Sequence, residues 1–317
     1  MVDTRKFLPT DLVPSAVTAC FARHVVSTDR VVVGLSGGID SVVLLHAVRI
    51  RHESVGAIHV HHGINPAADR WEQFCGDLCA DWNIPLKVER VEVERNSADG
   101  LEAAARHSRH AAFNRHPGDF LVLAHHQDDR AETMLFNLLR GAGVRGAGAM
   151  RERNGRLLRP LLSIARDSIL GYAQAHGLSW IEDESNADVR FTRNFLRHRI
   201  LPELQQRFPA AACRLASSAA LFAEATDLLD DLAVLDLGDH VPAFPVPVRR
   251  LAELPERRAR NVLRFLLALK GVGIPSEERL AEALRQLLTA GADRHPAITF
   301  GEWILGRDGR QVTLRAR

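Results

Sequence analysis

Arg30-Val-Val-Val-Gly-Leu-Ser-Gly-Gly-Ile-Asp-Ser-Val-Val-Leu-Leu45 is the stretch that decides the fold. Residues 30–35 form a short apolar run without alternation, as expected of a parallel strand buried on both faces. From residue 41 to residue 50 the apolar pattern continues as a helix. Between them sits the pair Gly37-Gly38, which lets backbone N–H groups approach an anion without a Cβ clash. Ser36 and Ser41 add hydroxyls. The start of the helix adds further N–H groups and a positive dipole end, worth about 0.3–1 kcal/mol per nearby charge. The loop is neither G-x-x-x-x-G-K-[ST], since no lysine is present to reach β- and γ-phosphates, nor G-x-G-x-x-G. A tight turn with Asp40 as helix cap would use some of the same residues. Five specified positions between a strand and a helix favour a phosphate loop.

Outward from this loop, strand and helix patterns alternate. Residues 55–60, 85–91 and 119–124 read as strands. Residues 67–82, 101–113 and 129–139 read as helices, with Trp71, Phe74, Cys75, Leu78, Cys79 and Trp82 on one face of the first. This predicts an α/β fold, a doubly wound parallel sheet with helices on both faces. Ligands in such sheets bind beyond the carboxyl ends of the strands. Helical patterns follow at 164–176 and 189–208, around a polar loop at 181–186. A long Ala/Leu helix at 210–235 reads as a connector. Gly238, Pro242, Pro245 and Pro247 mark a boundary. Beyond it, residues 255–270 form a helix with proline in its first turn, and Ser276 caps another. Residues 298–307 and 311–315 flank Asp308-Gly309 as a hairpin. The expected organisation is a catalytic domain at 1–208, a helical connector at 209–240 and a smaller α+β C-terminal domain at 241–317.

Composition narrows the class. With 46% hydrophobic and 25% charged residues in 317, the chain suits a two-domain globular protein. Formal net charge is only +2, so any nucleic-acid site is a local patch. Lys6, Lys87 and Lys270 are the only lysines among 41 basic residues. The arginine excess suits phosphates, but a codon-usage bias gives the same skew. Cys20, Cys75, Cys79 and Cys213 contain no C-x-x-C pair and imply no disulfide framework. Residues 1–10 lack a signal-peptide apolar run, and no apolar stretch reaches the ~18 residues of a membrane span. A cytoplasmic protein without membrane contact is expected.

A second loop, His125-His-Gln-Asp-Asp-Arg-Ala-Glu-Thr133, follows the 119–124 strand. On a helix, Asp129 and Glu132 share a face, as do Asp128 and Glu132. Converging carboxylates suit magnesium or an ammonium group. Asp129 and Glu132 also imitate a capping box. Their loss is expected to lower turnover far more than stability. Glu102, Arg106 and Arg109 lie along one face of the preceding helix, where an arginine could neutralise a phosphoryl centre or join a solvated ladder. Arg190, Arg193 and Arg197 fall at i, i+3, i+7 as a basic stripe, with His198 and Arg199 beside it, suited to RNA phosphates.

The S-G-G-x-D-S loop resembles that of the PP-loop ATP-pyrophosphatase superfamily, with its adenine nucleotide α-hydrolase-like sheet. That resemblance implies ATP held through Ser36, Gly37, Gly38, Ile39, Asp40 and Ser41, together with His125. It implies magnesium near Asp40, Asp128 and Asp129, and catalysis by Asp40, Arg106, Asp129 and Glu132. Segments 60–64, 71–85, 100–106, 125–133, Leu139-Arg-Gly-x-Gly143, Arg159-Pro-Leu-Leu162, Trp180-Ile-Glu-Asp-Glu-Ser-Asn186 and Arg193-Asn-Phe-Leu-Arg197 are similar to the tRNA(Ile)-lysidine synthase family. His61 stands where that family commonly has asparagine. The resemblance implies a carbon–nitrogen ligase that joins free L-lysine to C2 of the wobble cytidine (position 34) of tRNA(Ile) with a CAU anticodon. The reaction runs through an adenylated cytidine and yields lysidine, AMP and pyrophosphate. It implies Arg190, Arg193, Asn194, Arg197 and Arg199 as tRNA contacts, a tRNA-gripping C-terminal region including the 257–264 arginines, and the shorter form of the family. A homodimer is compatible with this reading. The alternatives are a cytidine-thiolating PP-loop enzyme, disfavoured by the lack of C-x-x-C, and a non-catalytic nucleotide-binding regulator, disfavoured by the carboxylates at 128, 129 and 132. A class I aminoacyl-tRNA synthetase would share sheet and adenylate, but its histidine signature and lysine-rich loop are absent.

Overall fold

The computed structural model describes residues 11–93, 101–183, 188–291 and 294–317. The chain divides into two compact units, residues 1–223 and 224–317. Unit 1 contains α1 (Leu12–His24), β1 (Val31–Gly34), α2 (Ile39–Arg49), β2 (Val55–His61), α3 (Ala68–Asp81), β3 (Leu86–Arg90) and α4 (Leu101–Asn114). It continues with β4 (Phe120–Val122), α5 (Gln127–Leu139), α6 (Val144–Ala147), β5 (Arg153–Asn154), β6 (Leu157–Leu158) and α7 (Arg166–Ala175). Then come α8 (Thr192–Phe195), a π turn (Leu196–Ile200), α9 (Leu201–Arg207) and α10 (Ala211–Leu237), within which the division between units falls.

The strand order is β3-β2-β1-β4-β6-β5. All neighbours run parallel except the short edge strand β5. Strand β1 lies between β2 and β4, so chain direction across the sheet reverses there and a crevice opens beyond its carboxyl end. Its alternation feeds two cores. Val31 and Val33 pack with Val13, Val17, Val43, Ile169 and Tyr172 from α1, α2 and α7. Val32 packs with Ile58, Leu121 and Phe113 of α4 on the opposite face. The sheet is therefore covered on both sides, as the continuous apolar strand implied. Each fully buried branched side chain contributes roughly 1.5–3 kcal/mol.

Unit 2 contains β7 (Val246–Pro247), α11 (Val248–Ala252), α12 (Glu256–Leu269), α13 (Glu277–Thr289), β8 (Ala297–Phe300), β9 (Trp303–Asp308) and β10 (Gln311–Ala316). Its antiparallel sheet, β7-β10-β9-β8, packs with the apolar faces of α12 and α13 around Leu263, Leu266, Leu284 and Leu305. The single strand expected at 298–307 is broken, because Gly301 turns at φ +57° and folds β8 back on β9. Pro255 sits at the N-cap of α12 rather than inside its first turn. Ser276 caps α13, accepting from Arg279 N–H at 3.4 Å. Helix α1 and strands β5 and β6 had no counterpart in the sequence reading. No helix among the described residues is long and apolar enough to cross a membrane.

One polar pair is built into the first core. His46 Nδ1 and the Tyr172 hydroxyl lie 2.9 Å apart, with the tyrosine fully buried. Burial, reinforced by Arg49, pulls His46 down to about 4. Its folded-state pKa lies below the unfolded value near 6.5, so the unfolded chain binds the proton more readily between those limits. The stability from neutral His46 is present above pH ~6.5 and is lost as pH falls toward 4. We expect His46→Gln, which keeps a hydrogen bond to Tyr172, to flatten this acid loss by on the order of 2 kcal/mol. Urea unfolding at pH 7 and pH 4.5 checks it; an unchanged pH dependence rejects it.

Candidate active site

The loop from β1 to α2 is braced by its own serines. Ser41 Oγ donates to the Gly38 carbonyl at 2.9 Å and lies 3.1 Å from Ser36 Oγ. It also accepts from Ser36 N–H at 3.2 Å, while Gly38 N–H donates to Ser36 Oγ at 3.4 Å. Gly37 adopts φ +89°, a region L side chains avoid, and a Cβ there would meet Ile181 Cδ1 at 3.0 Å. Its carbonyl accepts from Ile181 N–H at 2.9 Å. From the rear, the buried His59 Nδ1–H donates to Leu35 O at 2.8 Å. Gly38 is the N-cap of α2, which leaves the helix N-terminus bare of any side-chain cap. This is the geometry of an anion cradle.

The second loop enters from β4. His126 is the N-cap of α5, with extended backbone. Its Nδ1 accepts from Asp128 N–H at 3.3 Å, and Asp129 Oδ2 accepts from His126 N–H at 2.9 Å. The helix therefore starts two residues earlier than expected, and the capping box is His126 with Asp129, not Asp129 with Glu132. An accepting Nδ1 places the ring proton on Nε2. That nitrogen faces Asp129 Oδ2 at 3.5 Å and Asp40 Oδ2 at 3.9 Å. His126 is only 2% exposed and joins the two loops, yet it was not among the residues singled out from the sequence. The visible signal was a histidine pair at a strand's carboxyl end.

Arg197 completes the cluster. Its Nε and Nη2 donate to the two oxygens of Glu132 at 2.6 and 3.0 Å, and Nη2 also reaches Asp129 Oδ1 at 2.7 Å. The expected basic stripe is thus not formed. Residues 196–200 form a π turn, which widens the helix by one residue, and Arg197 within it points inward to these carboxylates. Arg190 precedes α8 and pairs with Asp188 at 2.7 Å. Asn194 Nδ2 donates to Asp188 O at 3.0 Å. Arg193 and Arg199 carry no ion pair within the described residues. Since Arg197 binds carboxylates, it is a poor phosphate contact. For the same reason loss of Glu132 would cost stability as well as turnover.

Burial pushes the Glu132 carboxyl up, and Arg197 opposes this. Burial works against the Arg197 charge too, but Glu132, Asp129 and Asp40 outweigh it and raise the guanidinium further. A forked pair at these distances is ionised, because arginine does not give up its proton. Burial also raises Asp129, yet His126, His125 and Arg197 overcome it and hold that carboxyl below its ordinary value. For Asp40, burial wins and the carboxyl is raised, against the pull of His126, Arg166 and Arg197. Among the described residues, Asp40 Oδ1 is buried without a hydrogen-bond partner. His125 accepts at Nδ1 from the buried Arg159 Nε at 3.3 Å.

The proposed metal set is divided. Asp40 and Asp129 approach the Nε2 side of His126, while Asp128 Oδ2 lies 3.6 Å from Nδ1. Among the described residues these three do not close into a ligand set within 4.8 Å. The unpartnered Asp40 Oδ1 fits a hard cation best. The side chains of Glu102 and Arg106 lie outside the described residues, as do residues 184–186 of the 180–186 motif and Gly100. Arg109 faces His62, whose buried Nδ1 has no partner among the described residues; burial, with Arg109, lowers this histidine to about 4. His61 pairs with Asp69 at 3.1 Å.

A glycine cradle and a carboxylate-bearing helix start, facing each other where strand order reverses, define a nucleotide-binding α/β site of the PP-loop class. Residues 13–204 match the PP-loop domain, and residues 247–312 match the TilS substrate binding domain. The chain belongs to the tRNA(Ile)-lysidine synthase family. It is 51% identical over 274 residues to the tRNA(Ile)-lysidine synthase of Azoarcus sp. (strain BH72), covering 82% of this chain and 60% of that one. It is 43% identical over 310 residues to the enzyme of that name from Nitrosomonas europaea, covering 93% and 67%. For Escherichia coli O157:H7 the identity is 40% over 308 residues, covering 93% and 71%. The chain thus spans about two thirds of the length of these relatives. The U34-tRNA thiolase NcsA from Methanococcus maripaludis, with its [4Fe-4S] cluster, shares the fold at TM-score 0.56 and 20% identity, covering 68% of this chain and 80% of that one.

We expect Arg197→Ala to destabilise unit 1 by about 3–5 kcal/mol, because it strands two buried carboxylates. Thermal unfolding of Arg197→Ala beside Glu132→Gln/Arg197→Met measures this. A single substitution as mild as the double would show that the pair carries no structural load.

Proposed function

We propose that this chain ligates L-lysine to C2 of cytidine 34 in tRNA(Ile) with a CAU anticodon, using ATP and releasing AMP and pyrophosphate. The observation that carries the reading is the bare, glycine-bent N-terminus of α2, whose first turn carries Asp40, joined through His126 to Asp129 at the start of α5. Backbone N–H groups of residues 37–41 and the Ser36 and Ser41 hydroxyls hold the departing pyrophosphate, and His125 borders the same nucleotide. Magnesium, carried chiefly by Asp40, would neutralise phosphate charge. The cytidine C2 oxygen attacks the α-phosphorus and the bond to pyrophosphate breaks. The ε-amine of lysine, having lost a proton, attacks C2, and AMP departs with the former C2 oxygen. Asp40, Asp128, Asp129 and Glu132 outnumber the arginines around them, Arg197, Arg166 and Arg159, which leaves a site suited to the cationic amino acid. Of the catalytic candidates, Asp40 borders the phosphates, Asp129 and Glu132 shape the acidic wall, and Arg106 would meet the phosphoryl centre. Arg193 and Arg199 are the RNA-facing arginines. Unit 2 grips the tRNA, a role supported by its match to a substrate binding domain. The reaction belongs in the cytoplasm, where tRNA, ATP and lysine coexist.

Incubation with ATP, labelled lysine and tRNA transcripts tests this. We expect tRNA-linked lysine resistant to mild alkali, with AMP and pyrophosphate in equal amounts. Alkali-labile linkage would instead indicate an aminoacyl ester, and absence of ATP consumption a regulator. Gly37→Ala, strained at φ +89°, should weaken ATP binding at least tenfold in calorimetry. Wild-type affinity in that variant would remove the loop from the phosphate site. Asp40→Asn should lower turnover roughly 10²-fold or more.

A further inference from the structure

One aromatic surface beside the acidic cluster is used neither by the core nor by the chemistry above. Phe136 stands four residues after Glu132 on α5, so the two share a helix face about 6 Å apart along the axis. Two guanidiniums lie on its ring, Arg140 at 5.1 Å from the centroid and Arg193 at 5.8 Å. Neither arginine has a carboxylate partner among the described residues, whereas nearby Arg190 and Arg197 are both neutralised by forked ion pairs. Phe191 and Phe195 flank Arg193 in sequence and are 38% and 43% exposed. Flat rings with uncompensated guanidinium planes favour an unstacked nucleobase next to phosphate charge over an apolar protein face.

We propose that the Arg140–Phe136–Arg193 stack is a platform for the unpaired base next to the reacting cytidine, holding the anticodon loop open one helical turn from Glu132. The proposal rests on the functional reading above and adds the surface that splays the loop. Its occupant is a single-stranded RNA base, and the two arginines supply both stacking planes and charge.

The test uses the full chain and an anticodon stem-loop with 2-aminopurine in place of the anticodon adenine. Phe136→Leu keeps apolar packing but removes the π face; Arg140→Gln removes one plane. We expect the unsubstituted chain to bind the RNA with quenched fluorescence. Phe136→Leu and Arg140→Gln should each weaken binding roughly tenfold, Phe136→Leu should lose the quench, and ATP affinity should stay at its starting value in both. Binding and quench unchanged in both variants overturn the platform while leaving the functional reading intact. Loss of ATP affinity with Phe136→Leu also overturns it, because the ring is then a structural support. If the unsubstituted chain binds no RNA, the functional reading falls and the platform with it.

Discussion

The forked ion pair between Arg197 and the α5 carboxylates is the contact on which the rest of unit 1's working end depends. Glu132 is 3% exposed, and Asp129 and Asp40 lie close by. Three carboxylates in so little water would repel one another or take up protons without a fixed cation. Arg197 supplies that cation from a distant part of the sequence. The same contact anchors the helical segment after residue 192 at the carboxyl edge of the sheet, so chain path and charge balance are solved together.

His126 shows how closely local helix chemistry and site geometry are linked. Its side chain satisfies an orphan N–H at the start of α5, which fixes the ring. With Nδ1 occupied, Nε2–H is aimed between Asp40 and Asp129. A residue that caps a helix thereby sets the spacing between the two ligand-bearing loops. Asp40 bears the remaining cost: its carboxyl is raised and one oxygen stands without a partner among the described residues. That is the place where the protein is least self-satisfied, and such places are where ligands are expected.

Fold alone would not separate this chain from its structural neighbours, since a thiolase that carries an iron–sulfur cluster has the same sheet. Cys75 and Cys79 are buried in the core, and burial pushes their thiols up to about 12 and 11. They are packing residues, far from the thiolate form that metal or sulfur chemistry needs.

Sequence by itself determined the parallel sheet, the phosphate loop and the second loop, because each is written in consecutive residues. A short valine run leading into a glycine pair fits a strand buried on both faces, and the glycine pair between strand and helix leaves the backbone bare. It also located Asp40, Asp129 and Glu132. What the tertiary structure alone decided is how those groups are partnered. The arginine stripe at 190, 193 and 197 assumed one regular 3.6-residue helix, but Arg190 lies before α8 and Arg197, in a π turn, pairs inward with Glu132 and Asp129. The two-residue strands β5 and β6 were invisible for a different reason. They carry too little local signal, and only packing against a finished sheet makes them stable, whereas α1 does carry one, with Val13, Val17, Cys20 and Phe21 at i, i+4, i+7 and i+8.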